Sequence, residues 1–230
     1  MRFSLVIPCY NEAANLPFLL ERCKELVLRP DIEVILVDNG STDNTIEVLR
    51  DLLPKYRGCR CIRIEKNQGY GFGIVAGLKV AKGEIIGWTH ADLQTDPQDA
   101  ILGLELFEKH GDDIFVKGRR YGRPFMDVFF TVGMSVFETL LLARPMWDIN
   151  AQPNMFSRRF FVSLVDPPED FSLDLYTYFR AHIFGLKVHR FPVKFGERVH
   201  GVSHWNVNWA AKRKFIRRTL DFSLQLKKKI

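Results

Sequence analysis

Short apolar runs alternate with segments of helical periodicity between residues 3 and 117. Each run is rich in β-branched and aliphatic residues, as in a buried strand, and is followed by a turn and then by apolar residues at helical spacing. The predicted strands comprise residues 3–7, 33–37, 62–64, 84–88 and 113–117. This alternation predicts an α/β fold in which a mainly parallel, Rossmann-like central sheet is flanked by helices.

Polar segments follow the first four predicted strands. Ligands of parallel α/β sheets bind beyond the carboxyl ends of the strands, so these segments are the candidates for a binding site. We expect the first strand to end at Pro8, which cannot donate a hydrogen bond to a sheet. The four segments are residues 8–12, 38–41, 67–71 and 90–94.

The first two segments carry side chains suited to a nucleoside. Asp38 directly follows an apolar run, and a carboxylate there can accept the imide or amino hydrogens of a nucleobase. It could instead cap the next helix, but Ser41 and Asp43 are better placed for capping, which leaves Asp38 free. Tyr10 can stack on a base. Glu12 can bind ribose hydroxyls, although it could equally cap the helix that follows.

The third segment is rich in glycine but does not match a dinucleotide loop. Gly69, Gly71, Gly73 and Gly77 have the spacing G-x-G-x-G and follow the third strand. A dinucleotide-binding dehydrogenase needs G-x-G-x-x-G after the first strand, so we reject an NAD-dependent dehydrogenase. We interpret these glycines as allowing a tight loop and close helix packing beside a nucleotide site.

The fourth segment places two oxygen ligands one residue apart. Asp92 and Gln94 face the same way if the segment is extended. Oxygen donors of this kind suit Mg²⁺ or Mn²⁺, which also bind diphosphate oxygens. Such a metal offsets the charge that develops on a departing diphosphate. The alternative is a pair of surface polar residues ahead of Pro97.

Taken in this order, the four segments resemble family 2 glycosyltransferases of the GT-A fold. Within that family the chain is most similar to the dolichol- or polyprenyl-phosphate sugar synthases. Residues 148–158 and 198–204 resemble the acceptor-side motifs of that subgroup, and the resemblance spans residues 3–205. The segments that carry it are 6–12, 37–43, 67–71 and 91–94.

The resemblance implies a set of site residues. The nucleotide-sugar would contact Pro8, Tyr10, Glu12, Asp38, Gly69, Ala91 and Asp92. A Mg²⁺ or Mn²⁺ ion would be bound by His90, Asp92 and Gln94. The acceptor and its phosphate would contact Asp148, Gln152, Arg198, Ser203 and His204. We assign catalytic roles to Asp92, Asp174 and Arg198.

Some of these residues have a structural alternative. Asp174 is a candidate base or acceptor ligand, or else a helix-surface or ion-paired residue. Asp148 either shapes the acceptor pocket or caps the turn before Pro153. Arg119 and Arg120 follow the fifth strand and could contact diphosphate or be ordinary surface charges.

Three positions depart from the pattern of the family. His90 occupies the first position of the usual Asp-x-Asp, Asn39 replaces a common second Asp, and His204 ends a motif that usually reads Gly-x-Ser-Lys. Imidazole suits Mg²⁺ less well than a carboxylate and brings no negative charge. We therefore expect the metal dependence and the affinity for an acceptor phosphate to be altered.

The resemblance implies an inverting hexosyltransferase that uses a nucleoside-diphosphate sugar. A hydroxyl acceptor would need a general base, whereas a lipid phosphate is already an anionic nucleophile at neutral pH. We expect a polyprenyl phosphate acceptor at a membrane surface. A hydroxyl acceptor on a glycan or glycolipid, or a catalytically silent relative that binds nucleotide-sugars, stays open.

The net charge of +6 is concentrated near the C-terminus. Residues 212–230 contain eight basic side chains and one acidic one, interleaved with apolar residues. We predict a catalytic domain at residues 1–205 and a basic amphipathic helix within 206–230 that binds an anionic membrane surface. The alternative is a solvated helix face. No recognition module accompanies the charge, so we do not expect nucleic acid binding.

Membrane spans and disulfides are not expected. Residues 125–143 are strongly apolar, but Asp127 and Glu138 interrupt them, so we predict a core helix or a helix lying in the membrane interface. The four cysteines are too few and too scattered for a secreted disulfide scaffold. These features favour a cytoplasmic protein, peripheral on the inner face of the membrane.

Overall fold

A computed structural model of the chain describes residues 1–198 and 209–228. The strands are β1 (Phe3–Cys9), β2 (Ile32–Asn39), β3 (Cys59–Ile64), β4 (Ile85–Trp88), β5 (Ile114–Tyr121), β6 (Asn154–Ser157) and β7 (Lys187–Lys194). The helices are α1 (Leu16–Val27), α2 (Thr45–Leu52), α3 (Tyr70–Val80), α4 (Asp99–His110), α5 (Phe125–Leu142), α6 (Arg158–Val162), α7 (Ser172–Phe184) and α8 (Trp209–Lys227). A short 3₁₀ helix, Leu53–Lys55, follows α2.

The strands form one sheet in the order β3-β2-β1-β4-β6-β5-β7. Strand β6 is antiparallel to both of its neighbours, and every other pair is parallel. The chain builds outward from β1 to β3 and then returns through α3 to place β4 on the other side of β1. The connections that leave β1 and β4 therefore diverge, which is the place where such sheets bind ligands.

The two faces of the sheet carry separate cores. Helices α1, α2 and α4 pack on one face, against Leu5 and Ile7 of β1 among others. Helices α3, α6 and α7 pack on the other face, against Val6. Each fully buried aliphatic side chain contributes about 1.5–3 kcal/mol. The predicted α/β fold with helices on both faces is confirmed.

The glycines of α3 allow it to lie close to its neighbours. A Cβ atom at Gly77 would collide with Val6 of β1, and one at Gly71 would collide with the carbonyl oxygen of Pro168. Gly69 has φ = 121°, which only glycine adopts readily. The interpretation of these glycines as packing and turn residues is confirmed.

Four of the predicted strands are too short. Strand β2 continues to Asn39 and therefore contains Asp38, and β3 begins at Cys59. Strand β1 runs through Pro8 to Cys9, because pairing with β4 ends at Val6 and the missing N–H therefore costs nothing on that side. Strand β5 continues to Tyr121 rather than Lys117, because β7 pairs with it along its whole length.

Helix α5 is mostly exposed, which excludes the core-helix alternative and leaves the interfacial one. Ser135, Glu138 and Leu142 are its buried residues. In the described part of the chain, α5 is the one helix whose length and composition would suffice to cross a membrane. Its exposed large apolar side chains are Phe125, Met126, Val128, Phe129, Phe130, Val132, Val136, Phe137 and Leu140.

Helix α8 packs on α5 through a buried polar contact. The Ser223 hydroxyl lies 2.6 Å from Glu138 Oε1, and Leu226 is buried one turn further along α8. The side chains of Arg213, Arg217 and Lys227 are exposed. One side of α8 is therefore held by the protein while basic side chains face solvent.

Candidate active site

The loops that follow β1 and β2 are joined by hydrogen bonds. The Asn11 backbone N–H donates to Ser41 Oγ at 3.0 Å, and the Glu12 N–H donates to Thr45 Oγ1 at 2.9 Å. Asn11 Oδ1 accepts from the Thr42 N–H at 2.8 Å. Asn11 itself is left-handed, with φ = 57°. The two predicted nucleoside segments thus form one wall at the carboxyl edge of the sheet.

Asp38 lies at the base of this wall and is completely buried. Its Oδ1 accepts from the Ser41 N–H at 3.0 Å, so the prediction that Asp38 is free of the following turn is wrong for this oxygen. Ser41 instead supports Asn11. The other oxygen, Oδ2, is buried without a hydrogen bond in the described residues and lies 3.6 Å from Arg63 Nη1. A buried acceptor left in this way is available to a ligand donor.

Three further predicted nucleoside residues lie around Asp38. Tyr10 follows β1 and is 38% exposed, and Pro8 is half-buried. Glu12 is half-buried, and its Oε2 accepts from Asn15 Nδ2 at 2.6 Å. Burial raises the pKa of Glu12, and the bond from Asn15 opposes that rise. The side chain therefore belongs both to the entry of α1 and to the site.

Asp92 and Gln94 converge on one cationic nitrogen. Asp92 Oδ2 lies 2.8 Å and Gln94 Oε1 lies 3.5 Å from Arg198 Nη2. The segment is not extended as predicted, because Leu93 is left-handed at φ = 61° and the Gln94 N–H donates to Asp92 Oδ1 at 3.2 Å. The turn, rather than strand alternation, brings the two oxygens together.

This pair of oxygens fits a divalent cation. Both approach the same positive atom, and Gln94 is oriented by the bond from its Nε2 to the Gly196 carbonyl at 3.2 Å. Within residues 1–198 and 209–228, no group of three or more His, Cys, Asp or Glu side chains could hold a metal. A cation here would be held by these two oxygens, and a bound diphosphate could supply further ligands.

His90 contacts Tyr70, a contact that the sequence did not predict. Its Nε2 lies 2.9 Å from the Tyr70 hydroxyl, and the two rings meet edge to face at 5.6 Å. Tyr70 in turn stacks on Phe171 at 4.5 Å. The predicted metal ligand therefore has one ring nitrogen committed to Tyr70.

The acceptor-side residues form a buried polar network. Asp174 is 1% exposed, which excludes the helix-surface alternative, and its Oδ1 accepts from Gln152 Nε2 and Asn154 Nδ2, each at 2.8 Å. Asn154 Oδ1 accepts from Lys117 Nζ at 2.7 Å. Burial lowers the pKa of Lys117 to about 7. A lysine inside an apolar strand was the sequence signal for this network, and we missed it.

Asp148 is held by two arginines. It forms ion pairs with Arg120 and Arg190, and its Oδ2 accepts from the Arg120 backbone N–H at 3.0 Å. Burial alone would raise the pKa of Asp148, but its contacts with Arg120 outweigh burial and lower that pKa. Arg120 is thus engaged in an ion pair, whereas Arg119 is exposed. The Asp148 carboxylate contacts these two arginines and does not cap the turn before Pro153.

Of the remaining predicted site residues, Ala91 and Gly69 lie in the described part of the chain. Ala91 is buried beside Asp92, and Gly69 accepts a hydrogen bond on its carbonyl from Asn39 Nδ2 at 2.9 Å. Asn39, which departs from the family pattern, therefore anchors the glycine-rich loop. Ser203 and His204 lie outside the described residues.

Comparison with known proteins identifies relatives of the sequence. The model of the family described as Glycosyl transferase family 2 matches residues 4–158. An undecaprenyl-phosphate 4-deoxy-4-formamido-L-arabinose transferase from Aeromonas hydrophila is 40% identical over 102 residues, which are 42% of this chain and 30% of that protein. A dolichol-phosphate mannosyltransferase from Pyrococcus furiosus is 35% identical over 121 residues, 53% of this chain and 34% of that protein.

A longer alignment extends the similarity along the chain. An undecaprenyl-phosphate 4-deoxy-4-formamido-L-arabinose transferase from Pseudomonas fluorescens strain Pf0-1 is 29% identical over 221 residues, 88% of this chain and 60% of that protein. The aligned part of the chain therefore spans between 30% and 60% of the length of these three relatives.

Solved structures with the same fold are glycosyltransferases. A mannosyltransferase from Pyrobaculum calidifontis in complex with GDP-Man and Mn²⁺ has a TM-score of 0.68 at 24% identity, covering 94% of this chain and 60% of that one. A glucosyl-3-phosphoglycerate synthase from Mycobacterium tuberculosis with Mn²⁺, UDP and phosphoglyceric acid has a TM-score of 0.74 at 18% identity, covering 98% and 78%. The predicted GT-A fold is confirmed.

Proposed function

The chain belongs to glycosyl transferase family 2, and on that premise we propose that it transfers a sugar from a nucleoside-diphosphate sugar to a polyprenyl phosphate. The relatives named above are transferases to undecaprenyl phosphate and dolichol phosphate. Transfer inverts the configuration at the anomeric carbon, because the acceptor oxygen attacks opposite the departing diphosphate.

The main support for the nucleotide-sugar part of this proposal is that Asp92 and Gln94 direct their oxygens to the same atom, Arg198 Nη2. The two oxygens would hold Mg²⁺ or Mn²⁺ beside the diphosphate. A bound ion of this kind neutralises charge on the departing nucleoside diphosphate. Asp38 Oδ2, which has no hydrogen bond in the described residues, accepts from the nucleobase, Tyr10 stacks on that base, and Glu12 binds ribose hydroxyls.

Arg198 changes partner during the cycle in this proposal. It now neutralises Asp92 through the 2.8 Å ion pair. If Asp92 and Gln94 held a cation, Arg198 would no longer be needed to neutralise Asp92 and would be available to an oxygen of the acceptor phosphate. An arginine can bind such a phosphate through two hydrogen bonds at once. Ser203 and His204, which follow closely in the sequence, would extend this phosphate contact.

The environment of Asp174 supports a phosphate acceptor over a hydroxyl acceptor. A general base must reach the proton that it removes. Asp174 is 1% exposed, and its Oδ1 is occupied by two amide donors. A phosphate monoester carries its own negative charge at neutral pH and needs no base. Asp174 and Gln152 then act by shaping the acceptor side, with Asp148 holding Arg120 and Arg190.

A peripheral position on an anionic membrane fits the surface of α5 and α8. Nine large apolar side chains of α5 are exposed, and concentrated exposed apolar surface is typical of a membrane or partner site. Basic residues of α8 lie in the adjacent helix and suit anionic headgroups. We place residues 1–205 as the catalytic domain and 206–230 as the membrane-binding tail, on the cytoplasmic side.

The acceptor can be tested with two lipids that differ only in the phosphate. The protein is incubated with a panel of UDP- and GDP-sugars, Mn²⁺, and anionic liposomes that contain either a polyprenyl phosphate or the matching polyprenol. We expect release of nucleoside diphosphate with the phosphate and not with the alcohol. Release with the polyprenol would establish a hydroxyl acceptor instead. Nucleotide binding without release in either case would refute the polyprenyl phosphate acceptor.

A further inference from the structure

A continuous hydrogen-bonded chain connects buried Lys117 to His90. Lys117 Nζ donates to Asn154, Asn154 and Gln152 both donate to Asp174, and Gln152 also contacts the Tyr70 hydroxyl at 3.3 Å. The Tyr70 hydroxyl lies 2.9 Å from His90 Nε2. These links join side chains, and they end at His90 in the candidate site.

The charged groups fix the direction of the amides in this chain. A lysine amino group donates, and a carboxylate accepts. Asn154 must therefore turn its oxygen to Lys117 and its Nδ2 to Asp174, since the reverse would set an amide oxygen against the carboxylate. The second hydrogen of Asn154 Nδ2 goes to Gln152 Oε1 at 2.9 Å. Gln152 consequently presents its Nε2 as the donor on its other side.

The direction continues through Tyr70 to the imidazole. Gln152 Nε2 has two hydrogens, one for Asp174 and one for the Tyr70 hydroxyl. The Tyr70 oxygen accepts from Gln152, and the nearest acceptor for its phenolic hydrogen is His90 Nε2 at 2.9 Å. The Asp174 carboxylate also interacts with this hydroxyl, so the tautomer of His90 is the quantity to measure. A neutral imidazole whose Nε2 accepts must carry its hydrogen on Nδ1. A doubly protonated imidazole would carry one there as well.

We propose that His90 is a hydrogen-bond donor to the bound nucleotide-sugar, presenting an N–H at Nδ1 where the family pattern has a metal-binding carboxylate. In the described part of the chain, Nδ1 has no hydrogen-bond partner. A metal ion needs a lone pair, and Nδ1 in this tautomer has none to give. The cation is left to Asp92 and Gln94, while His90 contacts a phosphate or ribose oxygen of the donor.

The tautomer can be measured without any ligand. The protein has six histidines, and the His90 signals in a two-bond ¹⁵N–¹H correlation spectrum are identified by their loss in His90→Gln. We expect hydrogen on Nδ1 and an unprotonated, accepting Nε2. In Tyr70→Phe, which removes the donor hydroxyl, this preference should be lost. An unprotonated Nδ1 with hydrogen on Nε2 in the wild type would overturn the proposal.

The ligand assignment rests on the proposed function and is tested by binding of UDP and GDP. His90→Asn keeps an amide N–H near the position of Nδ1, whereas His90→Gln places its amide near Nε2. We expect affinity within about threefold of wild type for the Asn variant and a loss of about tenfold for the Gln variant, as for one hydrogen bond.

Mn²⁺ separates a donor from a metal ligand. The enhancement of UDP or GDP affinity by Mn²⁺ should persist in both His90 variants and disappear in Asp92→Asn. Its disappearance in the His90 variants would make His90 a metal ligand and overturn the proposal. If the wild type binds neither UDP nor GDP, both the proposed function and the assignment of a nucleotide ligand to His90 are contradicted. The ¹⁵N–¹H spectrum still tests the tautomer of His90 in that case.

Discussion

Replacing Asp174 with Asn separates the charge of this residue from its hydrogen bonds. Both amide donors, Gln152 Nε2 and Asn154 Nδ2, reach the same oxygen, Oδ1, at 2.8 Å. An Asn side chain can keep an oxygen at that position and accept both hydrogens. Asp174→Ala removes the acceptor altogether. The two variants therefore differ in hydrogen bonding but share the loss of charge beside Lys117.

The expected losses of unfolding free energy follow from the two contacts. A charge-assisted bond exceeds a neutral one by about 1 kcal/mol, so Asp174→Asn should cost about 2 kcal/mol. Asp174→Ala leaves two buried donors unpaired at about 1–3 kcal/mol each. It also removes the negative charge that most favours protonated Lys117, for a total of about 3–6 kcal/mol. Urea unfolding monitored by circular dichroism measures both values.

Activity of the Asn variant then decides the role of the carboxylate. Loss of a general base lowers the rate by about 10²–10⁴-fold. Because a phosphate acceptor needs no base, we expect Asp174→Asn to retain its rate within about tenfold. A stability equal to that of Asp174→Ala would refute the hydrogen-bond assignment. A rate loss above about a hundredfold in a folded Asn variant would refute the phosphate acceptor.

Three further predictions concern the glycine-rich helix and the exposed helix. Gly71→Ala should lower the free energy of unfolding by about 2–4 kcal/mol, because its Cβ would collide with a backbone carbonyl. Gly133→Ala has open space around its Cβ and should raise that free energy by about 0.5–1 kcal/mol, as chemical unfolding can measure. Burial raises the pKa of Glu138 to about 7. The contribution of Glu138 to the free energy of unfolding is therefore largest below its ordinary pKa and falls as the pH rises toward 7. In thermal unfolding at several pH values, Glu138→Gln should remove about 1–3 kcal/mol of this fall. Leu140→Ser, at a side chain 77% exposed, should weaken co-sedimentation with anionic vesicles while leaving the melting temperature unchanged.

Much of the fold, and the position of the residues that we propose for the donor side, could be predicted from local patterns. The alternation of apolar runs and helical spacing identified the first five strands, and polar residues at strand ends identified Asp38 and Asp92. Parallel topology then requires these ends to share one edge of the sheet. The convergence of Asp92 and Gln94 was also predicted, but for the wrong reason, since a left-handed turn at Leu93 produces it.

The contacts that reach across the sequence could not be predicted. Tyr70 meets His90 only because α3 and β4 are placed side by side, and Lys117 reaches Asn154 only because β6 inserts antiparallel to β5. The exposure of α5 was equally hidden, because apolar composition does not distinguish a helix packed in a core from one with no protein over it.

Every step proposed above depends on a nucleoside diphosphate and a cation meeting at Asp92. The direct measurement is calorimetric binding of UDP and GDP, with and without Mn²⁺, to the wild type, Asp92→Asn and Asp96→Asn. Asp96 is a matched control four residues away that pairs with Arg22 at 3.9 Å. We predict Mn²⁺-enhanced binding of UDP or GDP to the wild type and to Asp96→Asn, and no enhancement in Asp92→Asn. Equal enhancement in Asp92→Asn would contradict the placement of the donor site.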